Sequence, residues 1–441
     1  MSKLKEINDA VVSQKMLLPF ILITSLFALW GFANDITNPL VAAFGRVMEI
    51  PNGKAAFVQM AFYGGYFTMA IPAALFVMKY SYKVGILIGL SLYATGALLF
   101  YPAASYGAFG FFLIALYILT FGLAFLETTA NPYIMSMGSA QTATRRLNLA
   151  QSFNPIGSIS GMFVAQHFIL SALWSDNKNE AGELIYATLQ GSEKAAWKAH
   201  DLMVIRDPYV MLGLVVIVMF LLILFYKMPK NQNSQEGLNF KESIQLLLQN
   251  KRYKAGVITQ VFYVAAQIMC WTFIIHYAEN IGIPFEEAQI YNMIAMGMFI
   301  SGRFISTFIM KYVSPGKLLM IFALGAVLTI FGAIFIIGHT GLICLVLTSV
   351  FMSLMFPTIY GIALQGMGEE AKLGAAGLVM AIVGGALMPV MQGRILDIGG
   401  KGLNDLKILG VPEVNFSFIL PLFCFMVIAY YGYLSRKPIP S

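Results

Sequence analysis

The sequence predicts an all-α integral membrane protein with twelve transmembrane helices in two six-helix halves. Three observations carry that prediction. Hydrophobic residues make up 59% of the 441-residue chain and charged residues only 11%, against roughly 25% charged in a soluble domain; mean hydropathy is +0.75. Apolar runs of the length needed to cross about 30 Å of hydrocarbon, roughly 20 residues each, recur twelve times along the chain. A polar connection at 229–253, with Lys230, Asn231, Gln232, Asn233, Lys251 and Arg252, divides those runs six and six. This composition excludes an ordinary soluble enzyme and a disordered or nucleic-acid-binding chain. The formal charge of +7 therefore reads as a sign of membrane topology and not as a polyanion-binding surface.

The spans are predicted, in order, at 17–43, 56–78, 84–102, 107–138, 147–172, 208–228, 254–279, 287–310, 316–337, 341–366, 373–396 and 414–434. Span 1 follows Lys3, Lys5 and Lys15 and is as long as a full crossing. No small-residue cleavage site stands behind a short apolar stretch, so it reads as a retained helix and not a signal peptide. Spans 5 and 6 are joined by a long polar connection, 173–207, with Asp176, Lys178, Glu180, Glu183, Glu193 and Lys194. Twelve spans place both termini on one side. Assigning the termini and loops 2–3, 4–5, 6–7, 8–9 and 10–11 to that side gathers most of the 28 basic residues, among them Lys79, Lys83, Arg145, Arg146, Lys227, Arg252, Arg303, Lys311, Lys317 and Lys372. Both termini are accordingly predicted cytoplasmic, with 1–228 and 254–441 as the halves and 229–253 as a cytoplasmic linker. The halves also echo each other. Phe76-Val-Met-Lys79-Tyr80 closes span 2 and Phe308-Ile-Met-Lys311-Tyr312 closes span 8, while span 4 carries Asn131-Pro132 and span 10 carries Phe356-Pro357. Two such halves on a charged linker are the architecture of the major facilitator fold, in which substrate sits near the membrane midplane.

A charge at a helix centre costs roughly 2.5–3.5 kcal/mol on insertion scales, so acids inside spans are functional candidates first. Two qualify: Asp35 in Asn34-Asp35-Ile-Thr37-Asn38-Pro39 of span 1, and Glu127 in Glu127-Thr128-Thr129-Ala-Asn131-Pro132 of span 4. Desolvation disfavours the charged form of such a carboxyl, the property that proton coupling needs. Asn34, Asp35, Thr37 and Asn38 fall within about one turn, and Asp35 and Asn38 share a face. Span 5 offers Asn148, Gln151 and Asn154 at steps of three, then Ser158, as a polar stripe on an apolar helix. Span 7 adds Gln260, Tyr263, Gln267, Trp271 and His276. Amides bond hydroxyls as donor or acceptor and flat rings pack against the C–H face of a sugar, so this convergence suits a polyhydroxylated ring better than mere interhelical glue. His167 and His276 are candidates for a proton relay.

Cys270, Cys344 and Cys424 all lie in apolar stretches and read as small buried hydrophobes. No zinc spacing, phosphate-binding loop or dinucleotide fingerprint occurs. No cofactor, metal or catalytic residue is therefore expected.

Several ordered motifs resemble one family in particular. Phe27-Ala-Leu-Trp30-Gly-Phe-Ala-Asn34, Leu126-Glu127-Thr-Thr-Ala-Asn131-Pro132, Arg146-Leu-Asn148-Leu-Ala-Gln151-Ser-Phe-Asn154 and Pro357-Thr-Ile together resemble the fucose:proton symporters of the major facilitator superfamily, from span 1 through span 11. The resemblance implies proton-coupled uptake of L-fucose or a related monosaccharide across a bacterial inner membrane by alternating access, in a protein that works as a monomer. It implies that Glu127 is the coupling glutamate and that Gln151 and Asn154 contact sugar. In span 1 the family's aspartate would fall at Asn38, and Asp35 stands where that pattern has a neutral amide; the acid has moved one turn along the same face. The expected site is thus Glu127 and Asp35 for the proton, and Asn34, Asn38, Gln151, Asn154, Tyr263, Gln267 and Trp271 for the sugar.

An uncoupled or Na⁺-coupled sugar carrier is the nearest alternative. A proton-coupled drug exporter would present a more apolar pocket than spans 1, 5 and 7 allow, and an intramembrane enzyme lacks a His-Glu-x-x-His pair, a Gly-x-Ser-x-Gly nucleophile or a helical Asp pair.

Overall fold

The computed structural model describes residues 11–12, 14–37, 40–50, 54, 57–177, 179, 184–228, 240–396 and 406–436. Among these, eleven helices are long and apolar enough to cross a membrane: Gln14–Thr37, Phe57–Lys79, Tyr82–Tyr106, Phe109–Ser136, Gly191–Phe225, Lys251–Asn280, Glu287–Ile309, Pro315–Phe335, His339–Leu364, Ala371–Leu396 and Glu413–Leu434. They correspond to every predicted span except the fifth. That segment is helical too, but as two pieces, Ala143–Gln151 and Asn154–Val164, separated at Ser152-Phe153. The break has a local cause. Pro155 has no N–H, and its ring crowds the carbonyl four residues back, that of Gln151. Span 10 breaks in the same way, into His339–Met352 and Met355–Leu364, where Pro357 frees the carbonyl of Ser353.

Three further boundaries differ from the sequence expectation. Span 1 stops at Thr37 and a separate short helix runs Leu40–Val47. Span 6 starts at Gly191 and not at 208, which shortens the predicted 173–207 connection. Its polar first turns project as helix because Glu193 sits favourably at the helix N-terminus, and the fully buried Asp201 accepts the backbone N–H groups of Trp174 and Ser175 at 2.8 and 2.9 Å. Within the predicted linker, Phe240–Gln249 is a helix. Asn250 follows and caps Lys251–Asn280, its side chain accepting the Tyr253 N–H at 3.0 Å. Residues 229–239 of that linker, and Asn38 and Pro39, lie outside the described residues. Before span 12, Lys407–Ile408 pairs antiparallel with Val411–Pro412. Leu409 and Gly410, both at positive φ, form the tight turn that such a hairpin needs.

The chain divides into two compact units, one of Ile21–Tyr133 with Phe153–Glu236, the other of Met1–Phe20 with Ile134–Ser152 and Gly237–Ser441. In the first unit, span 1 lies directly against Asn154–Val164. A Cβ on Gly31 would collide with the Asn154 carbonyl, and one on Gly157 with the Ala28 carbonyl, so both glycines are there to let two backbones touch. Trp30 and Tyr66 close this region with an Nε1–H···Oη hydrogen bond of 3.1 Å. In the second unit a polar knot holds spans 7, 9 and 12 together. Asn415 donates to Tyr277 Oη at 2.8 Å and to the Ala333 carbonyl at 3.0 Å, and Tyr277 donates to that same carbonyl at 2.9 Å.

Outward faces are apolar. Span 6 exposes Met211, Leu214, Val218, Leu222 and Phe225, the last 80% accessible, an apolar surface that only lipid solvates well. The repeated pentapeptide adopts similar contacts at both of its positions. Lys79 lies 5.6 Å from the Tyr80 ring and Lys311 lies 5.5 Å from the Tyr312 ring, with Phe76 and Phe308 against the same tyrosines.

Gly157→Leu should forfeit the contact between span 1 and span 5, at an overpacking cost of about 1–3 kcal/mol or more. Gly110→Ala, whose added methyl meets nothing within 4 Å, should leave stability unchanged. Melting curves of the two variants in detergent, followed by size-exclusion fluorescence, check the contrast; equal melting points would contradict it.

Candidate functional site

In the first unit the two intramembrane acids occupy different surroundings. Glu127 is 8% exposed in span 4 and lies within electrostatic reach of the Tyr66 hydroxyl. None of the four ion pairs among the described residues includes it. Its neighbours Thr128, Thr129 and Asn131 are fully buried, and Thr129 spends its hydroxyl on the Phe125 carbonyl at 2.6 Å. Asp35 is half-buried in span 1, with Tyr63 inside its electrostatic field. Asn34 beside it is half-buried, and its Oδ1 is buried without a hydrogen-bond partner, an acceptor available to a ligand hydroxyl. Asn154 Nδ2 donates to the Phe27 carbonyl of span 1 at 3.2 Å. That bond presents the Asn154 side chain against span 1.

The second unit gathers the other candidates around one buried cation. Arg303 is 4% exposed and lies inside Phe285–Ile309. The loop 8–9 position given to it in the topology count is therefore corrected. Its Nε–H donates to the Ser353 carbonyl at 2.6 Å and its Nη1–H to the Gln151 carbonyl at 2.8 Å. These are the two carbonyls that Pro357 and Pro155 leave without helical donors. A guanidinium in hydrocarbon is costly, and two helix-terminal carbonyls, each at the negative end of its helix, offset that cost. The same guanidinium covers the Phe299 ring at 4.6 Å, and Trp271 meets Phe299 edge-on at 5.0 Å while its Nε1–H reaches Ser349 Oγ at 3.2 Å. Tyr263, fully buried, donates to the Met352 carbonyl at 3.3 Å. Gln267 is half-buried on the same helix, one turn before Trp271. Gln260 is completely buried with neither amide atom partnered.

The stripe read along span 5 is not one helical face. Gln151 ends the first piece and Asn154 starts the second, on either side of the break and in different compact units. Asn148, at the same spacing, is interhelical glue: its Nδ2 donates to Thr358 Oγ1 at 3.2 Å, and Thr358 returns a hydrogen bond at 3.4 Å. His167 is corrected as well. It is exposed, stacked on Phe163 and hydrogen-bonded to that residue's carbonyl, with its ring nitrogen engaged locally. Arg303 is the residue of this cluster that the sequence reading did not single out. The signal was present, since the apolar window 287–310 encloses this lone arginine.

The Major Facilitator Superfamily profile matches residues 20–391. The chain is 61% identical over 431 residues to the L-fucose-proton symporter of Haemophilus influenzae, spanning 98% of this chain and 99% of that protein. It is 34% identical over 427 residues to the L-fucose-proton symporter of Escherichia coli, spanning 96% and 94%. Among solved structures, the crystal structure of the transporter FucP in the outward conformation is similar at a TM-score of 0.86 and 33% identity, over 96% of this chain and 100% of that one.

The reciprocal Asn148–Thr358 pair should couple by about 0.6 kcal/mol, the typical worth of a side-chain hydrogen bond between membrane helices. A double-mutant cycle on Asn148→Ala and Thr358→Ala, read by thermal stability, checks this. Additive single-mutant effects would contradict the pairing.

Proposed function

The chain belongs to the major facilitator superfamily, and on that footing we propose that it is a secondary active transporter importing a monosaccharide, L-fucose or a related hexose, together with protons by alternating access. The observation that carries the reading is Glu127: a buried carboxyl in an apolar span with no ion-pair partner among the described residues. A bare carboxylate is expensive in such a place. Taking up a proton removes the charge, and releasing it requires water, so the protonation cycle of Glu127 ties proton movement to which side of the membrane reaches it. Asp35, half-buried beside Tyr63, serves as the second acid and biases the site toward sugars with a hydroxyl near span 1.

Sugar recognition is assigned to Asn34, Asn38, Gln151, Asn154, Tyr263, Gln267 and Trp271. Amides supply paired donors and acceptors for hydroxyls, and the Trp271 ring, held at its edge and at its N–H, offers a fixed apolar face. The H. influenzae and E. coli relatives, both named for L-fucose and proton, support this choice of substrate and ion. The chemistry is transport and not catalysis: no group here is assigned to break or form a covalent bond. We place the protein in a bacterial inner membrane with both termini cytoplasmic, acting as a monomer in the lipid bilayer, with 1–228 and 254–441 as its halves and 229–253 as its linker.

Glu127→Gln, in proteoliposomes with an inward proton gradient, should abolish uphill accumulation of labelled L-fucose and retain sugar-for-sugar exchange, because exchange needs no net proton release. Accumulation equal to wild type would overturn the assignment of Glu127.

A further inference from the structure

One guanidinium of the second unit serves the carbonyls stranded at both proline breaks. Pro155 and Pro357 each remove a helical donor, and the two carbonyls thereby stranded, of Gln151 and Ser353, are the two that Arg303 binds, at 2.8 and 2.6 Å. From this node two of the proposed sugar groups take their positions. The Gln151 side chain issues from the residue whose carbonyl is held, and the Trp271 ring packs nearly perpendicular to Phe299, which lies under the guanidinium. Ser349, which receives the Trp271 N–H at 3.2 Å, stands one turn before the held Ser353 carbonyl. Tyr263 donates to the carbonyl of Met352, the residue next to Ser353.

Structural capping alone would need less. Two water molecules, or any short donor, satisfy two carbonyls; stacking on Phe299 and bridging two separate chain breaks with one rigid fork requires arginine. A lysine in its place would offer a point charge with no planar face. We infer that Arg303 is the positioning residue of the sugar site, setting Gln151 and Trp271 through the two proline breaks, a role that rests on the sugar contacts proposed for those two residues. Arg303 does not touch the sugar. It acts by holding the ends of helices from which the sugar-contacting groups project.

The test measures equilibrium binding of labelled L-fucose to purified protein, competition by a panel of hexoses, and melting temperature. The variants are Arg303→Lys, Arg303→Met, Arg303→Met combined with Pro155→Ala and Pro357→Ala, Gln151→Ala and Trp271→Ala. Gln151→Ala and Trp271→Ala should weaken binding directly. Arg303→Lys, which keeps the buried charge, should fold and yet bind L-fucose roughly tenfold or more weakly, with an altered ranking of competing sugars, because small misplacements of oriented groups are costly. The triple variant restores the two missing N–H donors. It should recover melting temperature relative to Arg303→Met while its affinity stays low, since a regular helix no longer presents Gln151 at the break. Wild-type affinity and ranking in Arg303→Lys or in the triple variant would reduce Arg303 to a helix-end cap and overturn the inference. Wild-type affinity in both Gln151→Ala and Trp271→Ala would overturn the sugar-site reading itself, and the positioning role with it.

Discussion

Inside hydrocarbon no backbone carbonyl can be left to water, and that constraint organises this molecule. Ten spans meet it with unbroken or gently adjusted helices. The fifth does not, because Pro155 interrupts it at the point where Gln151 and Asn154 must face their partners. The tenth breaks likewise at Pro357. A structure that pays for two chain breaks in a membrane must supply donors from elsewhere, and Arg303 supplies both. Around that guanidinium Phe299, Trp271, Ser349 and Tyr263 acquire fixed relations, so the polar part of the second unit follows from how two orphaned carbonyls are satisfied.

The first unit solves a different problem with glycine. Gly31 and Gly157 bring the backbone of span 1 against that of Asn154–Val164, and at that separation the Asn154 amide reaches the Phe27 carbonyl. Of the two intramembrane acids of this unit, Glu127 takes part in none of the ion pairs among the described residues. Glu127 is buried within electrostatic reach of Tyr66, and Asp35 is half-buried within electrostatic reach of Tyr63. A buried arginine partner would hold such a carboxyl ionised. Among the described residues no arginine pairs with Glu127, whereas Arg303 holds both proline breaks; under the proposed function the first group changes charge during the cycle and the second keeps it.

Much of this was legible in the chain because hydrocarbon leaves a strong mark on composition. Span number, their order and the two acids follow from apolar runs and from the scarcity of charge within them. What the periodicity could not convey was continuity. Asn148, Gln151 and Asn154 look like one stripe at steps of three, and Pro155 ends a helix between the second and third. Arg303 was grouped with loop cations because the positive-inside pattern counts basic residues near span ends, and this one lies only two turns from its helix end. His167 looked like a relay because sequence does not say which side of a helix is buried. The start of span 6 at Gly191 was hidden by Glu193, Lys194, Lys198 and Asp201, charges that a helix tolerates once it has risen past the apolar layer.

The central claim is that sugar and proton move together, and the most direct measurement follows the proton while only sugar drives. Purified protein is reconstituted into liposomes enclosing a pH-sensitive dye, with equal pH and no sodium on either side, and L-fucose is added outside. The account predicts acidification of the lumen that tracks sugar entry and collapses when an uncoupler is present. Fucose entry at the same rate without any change in lumenal pH, or entry that begins only when sodium is supplied, would contradict it.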